Sequence, residues 1–236
     1  MPALGIDGCA GGWIVASLGS QWHASTPRVE FEVHPTLEFL ESLTLSRVCI
    51  DIPIGLSRTP RTCDMLARRA LPGAASRVFT PPCREVLACV DWIDANAMSR
   101  KLTGKGLSKQ AFNITQKIRE ADELLARVPH LRGVLREVHP EVCFARLAGR
   151  VLPSKKTFQG IAARIEILSQ RIGIEETHLR AQAARLRPAG AKLDDLLDAA
   201  IALVVALTPA GVTSLLPPTP EHDERGLAME MLCADL

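Results

Sequence analysis

Residues 191–207 constrain the chain most. Leu193, Leu196, Leu197, Ala200, Ile201 and Val204 fall at helical spacing, and beyond Ala199 almost every position is apolar. A helix that is apolar around nearly its whole circumference has to be enclosed by other elements, so the fold needs a core thick enough to surround it. At 236 residues the chain is long enough for one such domain carrying an insertion. Its 47% hydrophobic and 23% charged residues exclude disordered, collagen-like and coiled-coil architectures. Even 196–207, broken by Asp198, falls short of the ~18 apolar residues of a membrane span. Residues 1–9 lack the basic start and apolar stretch of a signal peptide. A cytoplasmic protein with no membrane association is expected.

The elements around that helix follow from local pattern. A hairpin is predicted over 3–18, with strands at 4–7 and 13–18 and a glycine-rich turn at 8–12. A third strand is predicted over 28–34, a short helix over 36–43 and a buried strand over 47–54. After Gly55 the composition turns to proline and arginine, which marks a basic, mostly helical insertion at about 56–133. It contains a helix at 62–70, an irregular stretch at 72–82 and one long amphipathic helix at 108–128. Strand character returns at 134–139, followed by helices at 141–148 and 157–172. The prolines at 217–220 read as a turn before a tail that packs on the core or on a neighbour. The fold class is α/β, a mixed sheet flanked by helices with a helical insertion, in one domain over 1–236.

The formal charge of +2 hides an asymmetry. Residues 58–119 hold twelve Lys or Arg against four Asp or Glu, whereas residues 190–236 hold two against eight. A basic stretch facing an acidic one suits a protein that holds a polyanion with the first and metal cations with the second. The seven cysteines, odd in number and without a CxxC pair, read as free thiols of a reducing compartment and not as a zinc site.

Asp7 ends the first strand just before the glycine turn, and Asp51 lies in the most apolar strand of the chain. Burying an ionised carboxylate costs several kcal/mol unless a cation or donors compensate it. Asp195 and Asp198, three apart on a helix, can face one region, and the repulsion between such carboxylates favours a metal ion between them. Asp194 flanks the apolar stripe more closely than Asp195 but is also well placed to cap the helix, so the choice between them stays open. Glu137 and His139 share a strand face in EVHPE, as a further metal ligand and a general acid or base, or as a hydrogen-bonded pair fixing a turn. Lys155 and Lys156 precede a helix start, and Arg61, Arg68 and Arg84 lie in the basic insertion, so all five are candidate phosphate contacts. Arg68 stands four residues after Asp64 and can equally pair with it.

The segments IDGCAGGW, IDIPIGL, RTCDMLARR, VFTPPCRE, EVHPEVCF, SKKTFQG and DDLLDA resemble, along nearly the whole chain, the family known as domain of unknown function 429. That family is described as predicted nucleases of ribonuclease H-like fold. The resemblance implies a ribonuclease H-like sheet and, by position with the resolvases of that superfamily, a carboxylate set of Asp7, Asp51, Asp195 and Asp198. Resolvases usually carry Glu where this chain has the shorter Asp51. The chemistry implied is hydrolysis of nucleic-acid phosphodiesters with Mg²⁺ or Mn²⁺, two ions ~4 Å apart activating water and neutralising the leaving oxygen.

Two other classes compete. DGCAGGW also looks like the first phosphate loop of sugar-kinase and actin-like ATPases, which would make the chain a nucleotide-binding phosphotransferase, although it is short for two such domains. A non-catalytic nucleic-acid-binding module would use the basic insertion alone, but 4% aromatics and no tyrosine leave few stacking platforms.

Overall fold

The computed structural model describes residues 2–19 and 28–235. Strands β1 (Ala3–Cys9) and β2 (Gly12–Leu18) pair antiparallel across the turn at Ala10 and Gly11, with Cys9 opposite Gly12. Gly12 has φ +126°, a conformation side chains rarely allow, which is why the hairpin closes on glycine. β3 (Val29–His34) pairs antiparallel with β2, while β4 (Arg47–Ile50) and β5 (Leu135–Glu137) join parallel on the other side of β1. The strand order is β3-β2-β1-β4-β5. This is the predicted α/β class, a mixed sheet flanked by helices in a ribonuclease H-like arrangement.

Alternation along β1 divides the core. Leu4 and Ile6 point to one face, where α4 (Thr115–Arg127) and a 3₁₀ helix (Leu37–Ser42) cover them together with Trp13, Val48 and Ile50. Gly5 and Asp7 point to the other, where α8 (Leu193–Leu207) crosses β1. A Cβ on Gly5 would stand 2.1 Å from the Leu203 amide nitrogen and 2.2 Å from the Ala199 carbonyl oxygen, so glycine is what lets helix and strand touch backbone to backbone. α5 (Pro140–Ala148), α6 (Phe158–Ile172) and α7 (Glu176–Leu186) surround α8, which accounts for its apolar circumference.

Four expectations need correction. The strand expected over 47–54 ends at Ile50, because Pro53 has no amide for a ladder and Gly55, at φ +73°, turns the chain away. The helix expected over 108–128 is two, α3 (Lys109–Asn113) and α4, interrupted at Ile114. α4 covers the sheet and α1 (Thr62–Ala70) buries Cys63 and Ala67 in the core on its other face, so part of the basic insertion belongs to the core; the remainder is α2 (Trp92–Thr103) and α3 with short 3₁₀ turns. The prolines at 217–220 lie inside a strand, β6 (Thr213–His222), which pairs antiparallel with β7 (Ala228–Ala234) around an irregularity between Leu216 and Glu221. That hairpin packs on α1 and α5 and buries Met229, Met231 and Leu232, the core-packing alternative for the tail. No helix among the described residues is long and apolar enough to cross a membrane.

Candidate active site

β1 and β4 run parallel, and the ladder continues one step past β4, where the Asp51 amide donates to the Ile6 carbonyl at 3.0 Å. Asp51 therefore stands beside Asp7 at the carboxyl ends of two adjacent strands, the edge at which open α/β sheets present their ligands. α8 brings Asp198 over the same edge, one residue before the start of the Ala199–Leu203 contact with Gly5. Asp7 is 9% exposed and Asp198 4%, while Asp51 is half-buried.

The three carboxylates have few partners. Among the described residues no donor reaches the carboxylate of Asp7 or of Asp51, and Asp198 Oδ1 is buried without a hydrogen bond. Asp198 Oδ2 accepts from the Lys155 ammonium, which also lies 3.9 Å from Asp194. Burial pushes the Asp7 pKa well up, and the charges of Asp198, Asp51 and Asp195 push it further. Burial likewise carries Asp51 and Asp198 up to about 7 against the pull of Lys155. Burial works against the Lys155 ammonium, but Asp198 and then Asp7 more than compensate and raise its pKa above the ordinary lysine value. Lys155 thus pulls on all three acids while bonding Asp198 alone of them.

Asp195 does the capping that Asp194 was placed to do. Its Oδ2 accepts from the Lys192 amide at 2.8 Å, so it is partly committed to starting α8, and burial raises its pKa against that bond. It still lies close enough to Asp7 to raise the latter's pKa. Asp194 is half-buried, near Lys155.

Glu137 and His139 do come to the same place, a small crevice they share with Asp51. Glu137 is consumed there. Arg61, 2% exposed, donates to both its oxygens at 2.8 and 2.9 Å, and Ile54 N donates at 2.7 Å. Arg61 also holds Asp64 at 2.5 and 3.1 Å and the carbonyls of Ile54 and Gly55 at 3.1 Å. Burial lifts the Glu137 pKa to about 7 with Arg61 pulling the other way. Neither Glu137 as a metal ligand nor Arg61 as a phosphate contact survives this geometry, since every polar group of the pair is spent on fixing the segment that follows Asp51. His139 Nε2 faces the Arg77 carbonyl at 3.3 Å, leaving Nδ1 buried without a partner. Burial lowers the His139 pKa, so the ring is neutral near pH 7.

The other basic candidates divide. Arg84 is enclosed by Asp122 at 2.9 Å, Asp223 and Glu224 at 3.0 Å, an ionic clasp between the insertion and the last hairpin that leaves it no phosphate to bind. Arg68 does not pair with Asp64; its Nε donates to the Val78 carbonyl at 3.0 Å and its Nη2 to Thr80 Oγ1 at 2.8 Å. Lys155 sits in the carboxylate cluster itself, and Lys156 is exposed just before α6. A residue that sequence reasoning missed is Lys117, on α4. Its ammonium lies 4.4 Å from the centre of the Trp13 ring and donates to the Gly12 carbonyl, close enough to feel Asp7 and Asp195, while burial lowers its pKa. Nothing local in the sequence ties Lys117 to Gly12; the link is the packing of α4 on the sheet.

Taken singly, none of these contacts names a family, but their order along β1, β4 and α8 is spread over most of the chain. A family model described as "Protein of unknown function (DUF429)" matches residues 5–222. The chain belongs to that family. No curated protein and no solved structure matches it. The span shared with DUF429 contains Asp7, Asp51, Lys155, Asp195 and Asp198 together with all of the insertion, and it ends at the last residue of β6. The DUF429 description assigns no activity, so the chemistry has to be argued from the side chains.

Proposed function

We propose that this DUF429 protein is a divalent-metal-dependent phosphodiesterase acting on nucleic acid, in a reducing, cytoplasmic setting in which its cysteines, free among the described residues, stay thiols. The observation that carries the reading is the charge deficit at the end of β1 and β4: two buried carboxylates and a half-buried third, one ammonium bonded to them among the described residues, and an oxygen of Asp198 with no partner. All the unpaired donors are hard oxygens, the ligand type of Mg²⁺ and Mn²⁺. Asp7, Asp51 and Asp198 are the residues that would hold such an ion, with Asp195 beside them through its uncommitted oxygen. Among the described residues no group of three or more His, Cys, Asp or Glu side chains is placed to hold a metal ion, so loading a cation requires the carboxylates to move together and Lys155 to release Asp198. When bound, the ion supplies Lewis-acid activation of water and neutralisation of the phosphate.

The chain's own groups do the rest. The freed Lys155 ammonium presents three donors and a fixed charge to a phosphate oxygen at the same spot. His139 keeps Nδ1 unprotonated when Nε2 donates to the Arg77 carbonyl, and this leaves a neutral proton acceptor in the crevice beside Asp51. The Arg61–Glu137 network holds residues 54–55 in place and so fixes where Asp51 points.

The test is cleavage of a panel of single-stranded, duplex and branched DNA and RNA with Mn²⁺, comparing wild type with Asp7→Asn. Asp7→Asn is expected to abolish Mn²⁺-dependent cleavage while its circular dichroism stays that of the wild type. Equal cleavage by both, or none by either across the panel, defeats the reading. A phosphotransferase instead would show stabilisation by ATP with Mg²⁺ in thermal unfolding.

A further inference from the structure

The insertion encloses a second cavity, of about 600 Å³, between the turn after Leu56, the segment around Phe79 and the 103–108 loop. That is the size range of small-molecule sites, large enough for one nucleotide and too small for a stacked pair of base-paired strands. Its lining includes Arg58, Arg68 and Lys105 and no Asp or Glu. Arg68 is held rigid by its bonds to Val78 and Thr80, with Nη1 making no hydrogen bond among the described residues. Lys105 is exposed and makes no ion pair among the described residues, yet its loop is pinned. Ser99 Oγ donates to the Lys105 carbonyl at 2.8 Å and Leu107 N donates to Asn96 Oδ1 at 2.9 Å. Arg58 at the rim is already shared with Glu85. Phe79, half-buried, belongs both to this cavity and to the crevice that contains Asp51 and His139, so it stands between the cavity and one acid of the carboxylate cluster.

We propose that this cavity takes one unpaired nucleotide of a nucleic-acid strand, its phosphate on Arg68 and Lys105 and its base against Phe79. Placing that nucleotide beside the scissile bond rests on the nuclease reading, whereas the binding itself does not. A site of this kind selects single-stranded or frayed substrate over continuous duplex, because a base has to leave its stack to enter.

The test is fluorescence anisotropy with a short labelled oligothymidylate on the Asp7→Asn background, where nothing is cut. Phe79→Ala and Arg68→Ala are each expected to weaken binding about ten-fold, the size of one lost stack or one charge-assisted contact. Arg68→Ala also loses its bonds to Val78 and Thr80, so Lys105→Ala, an exposed change that leaves the fold alone, is the second variant. It is expected to lower both the affinity and the slope of log K against log salt, the latter by about 0.7. Inorganic phosphate should compete with the strand, and blunt duplex should bind more weakly than the strand. Unchanged affinity and slope in both cation variants, or duplex binding as tight as single-strand binding, overturns the proposal. If wild type cuts nothing and the cation variants still lose affinity, the nuclease reading falls and the cavity assignment stands.

Discussion

Two buried ionic clusters lie side by side at the same end of the sheet, and they are built on opposite terms. In the first, Arg61 meets Glu137, Asp64 and two carbonyls, and Glu137 gains the Ile54 amide as well, so no polar atom of the pair goes without a partner. In the second, Asp198 alone of Asp7, Asp51 and Asp198 is bonded among the described residues, by the Lys155 ammonium, and its Oδ1 has nothing. Burial is similar and hydrogen bonding is not. A satisfied network is explained by the architecture it holds, here the turn that leads away from Asp51. An unsatisfied one costs stability, and such cost concentrates where a ligand relieves it.

The sharpest way to break this contrast is to neutralise one charged side chain in each cluster. Asp7→Asn should remove Mn²⁺-dependent cleavage entirely yet leave the metal-free protein at least as stable as wild type, because it relieves burial and repulsion together. Arg61→Met should do the reverse. It strands Glu137 and Asp64 without their cation, and removing one partner of a buried pair typically costs about 3–5 kcal/mol, readable in urea unfolding. Equal destabilisation by the two substitutions would mean that the clusters play the same part.

Acidity tests the second cluster on its own. Asp51 and Asp198 rise from 3.8 to about 7 in the folded protein, so the fold binds protons that the unfolded chain releases. Their contribution to stability is therefore full below about pH 3.8 and is lost as pH climbs toward 7, in the absence of metal. The melting temperature of metal-free wild type should fall across that window more steeply than that of Asp198→Asn. Mn²⁺ binds the ionised form and should reverse the trend, with little stabilisation at pH 5 and about 2.7 kcal/mol at pH 8 when present at a hundred times its Kd. Equal stabilisation at both pH values would show that the ion binds elsewhere.

The contrast also explains which parts of the molecule were legible in the sequence. The hairpin of β1 and β2, the helix α1 and the enclosed α8 follow from glycine placement and periodicity, and Asp7, Asp51 and Asp198 stand out because an acid in an apolar setting is visible without coordinates. What periodicity does not carry is who partners whom. Arg61 and Glu137 are 76 residues apart, and both look like free functional groups until the fold joins them. Lys155 reads as a phosphate contact because a helix starts beside it, and its reach to Asp198 depends on how α6 packs on α8. α2 and α7 escaped because each buries only two residues and so carries no apolar stripe, although Asp91 capping the Asp94 amide and Gly104 closing the helix mark α2. The β6–β7 hairpin escaped because Pro217, Pro218 and Pro220 argue against a strand, and pairing tolerates them only through the irregularity between Leu216 and Glu221.

Lys155 separates an internal counter-ion from a mere surface salt bridge, and its effect is the smallest of the set. If its ammonium stands where a cation would otherwise neutralise Asp198, then Lys155→Met keeps the stem's packing and removes the competitor. Isothermal titration of Mn²⁺ should then show affinity rising about ten-fold, some 1.4 kcal/mol. Cleavage should nonetheless fall, because the phosphate loses a donor, so tighter metal and slower turnover appear together. Lys156→Met, one residue away and exposed, should change neither. Were Lys155→Met to leave Mn²⁺ affinity at the wild-type value, the ammonium and the ion would not share Asp198, and the charge deficit at the end of β1 and β4 would have to be met by some other ligand.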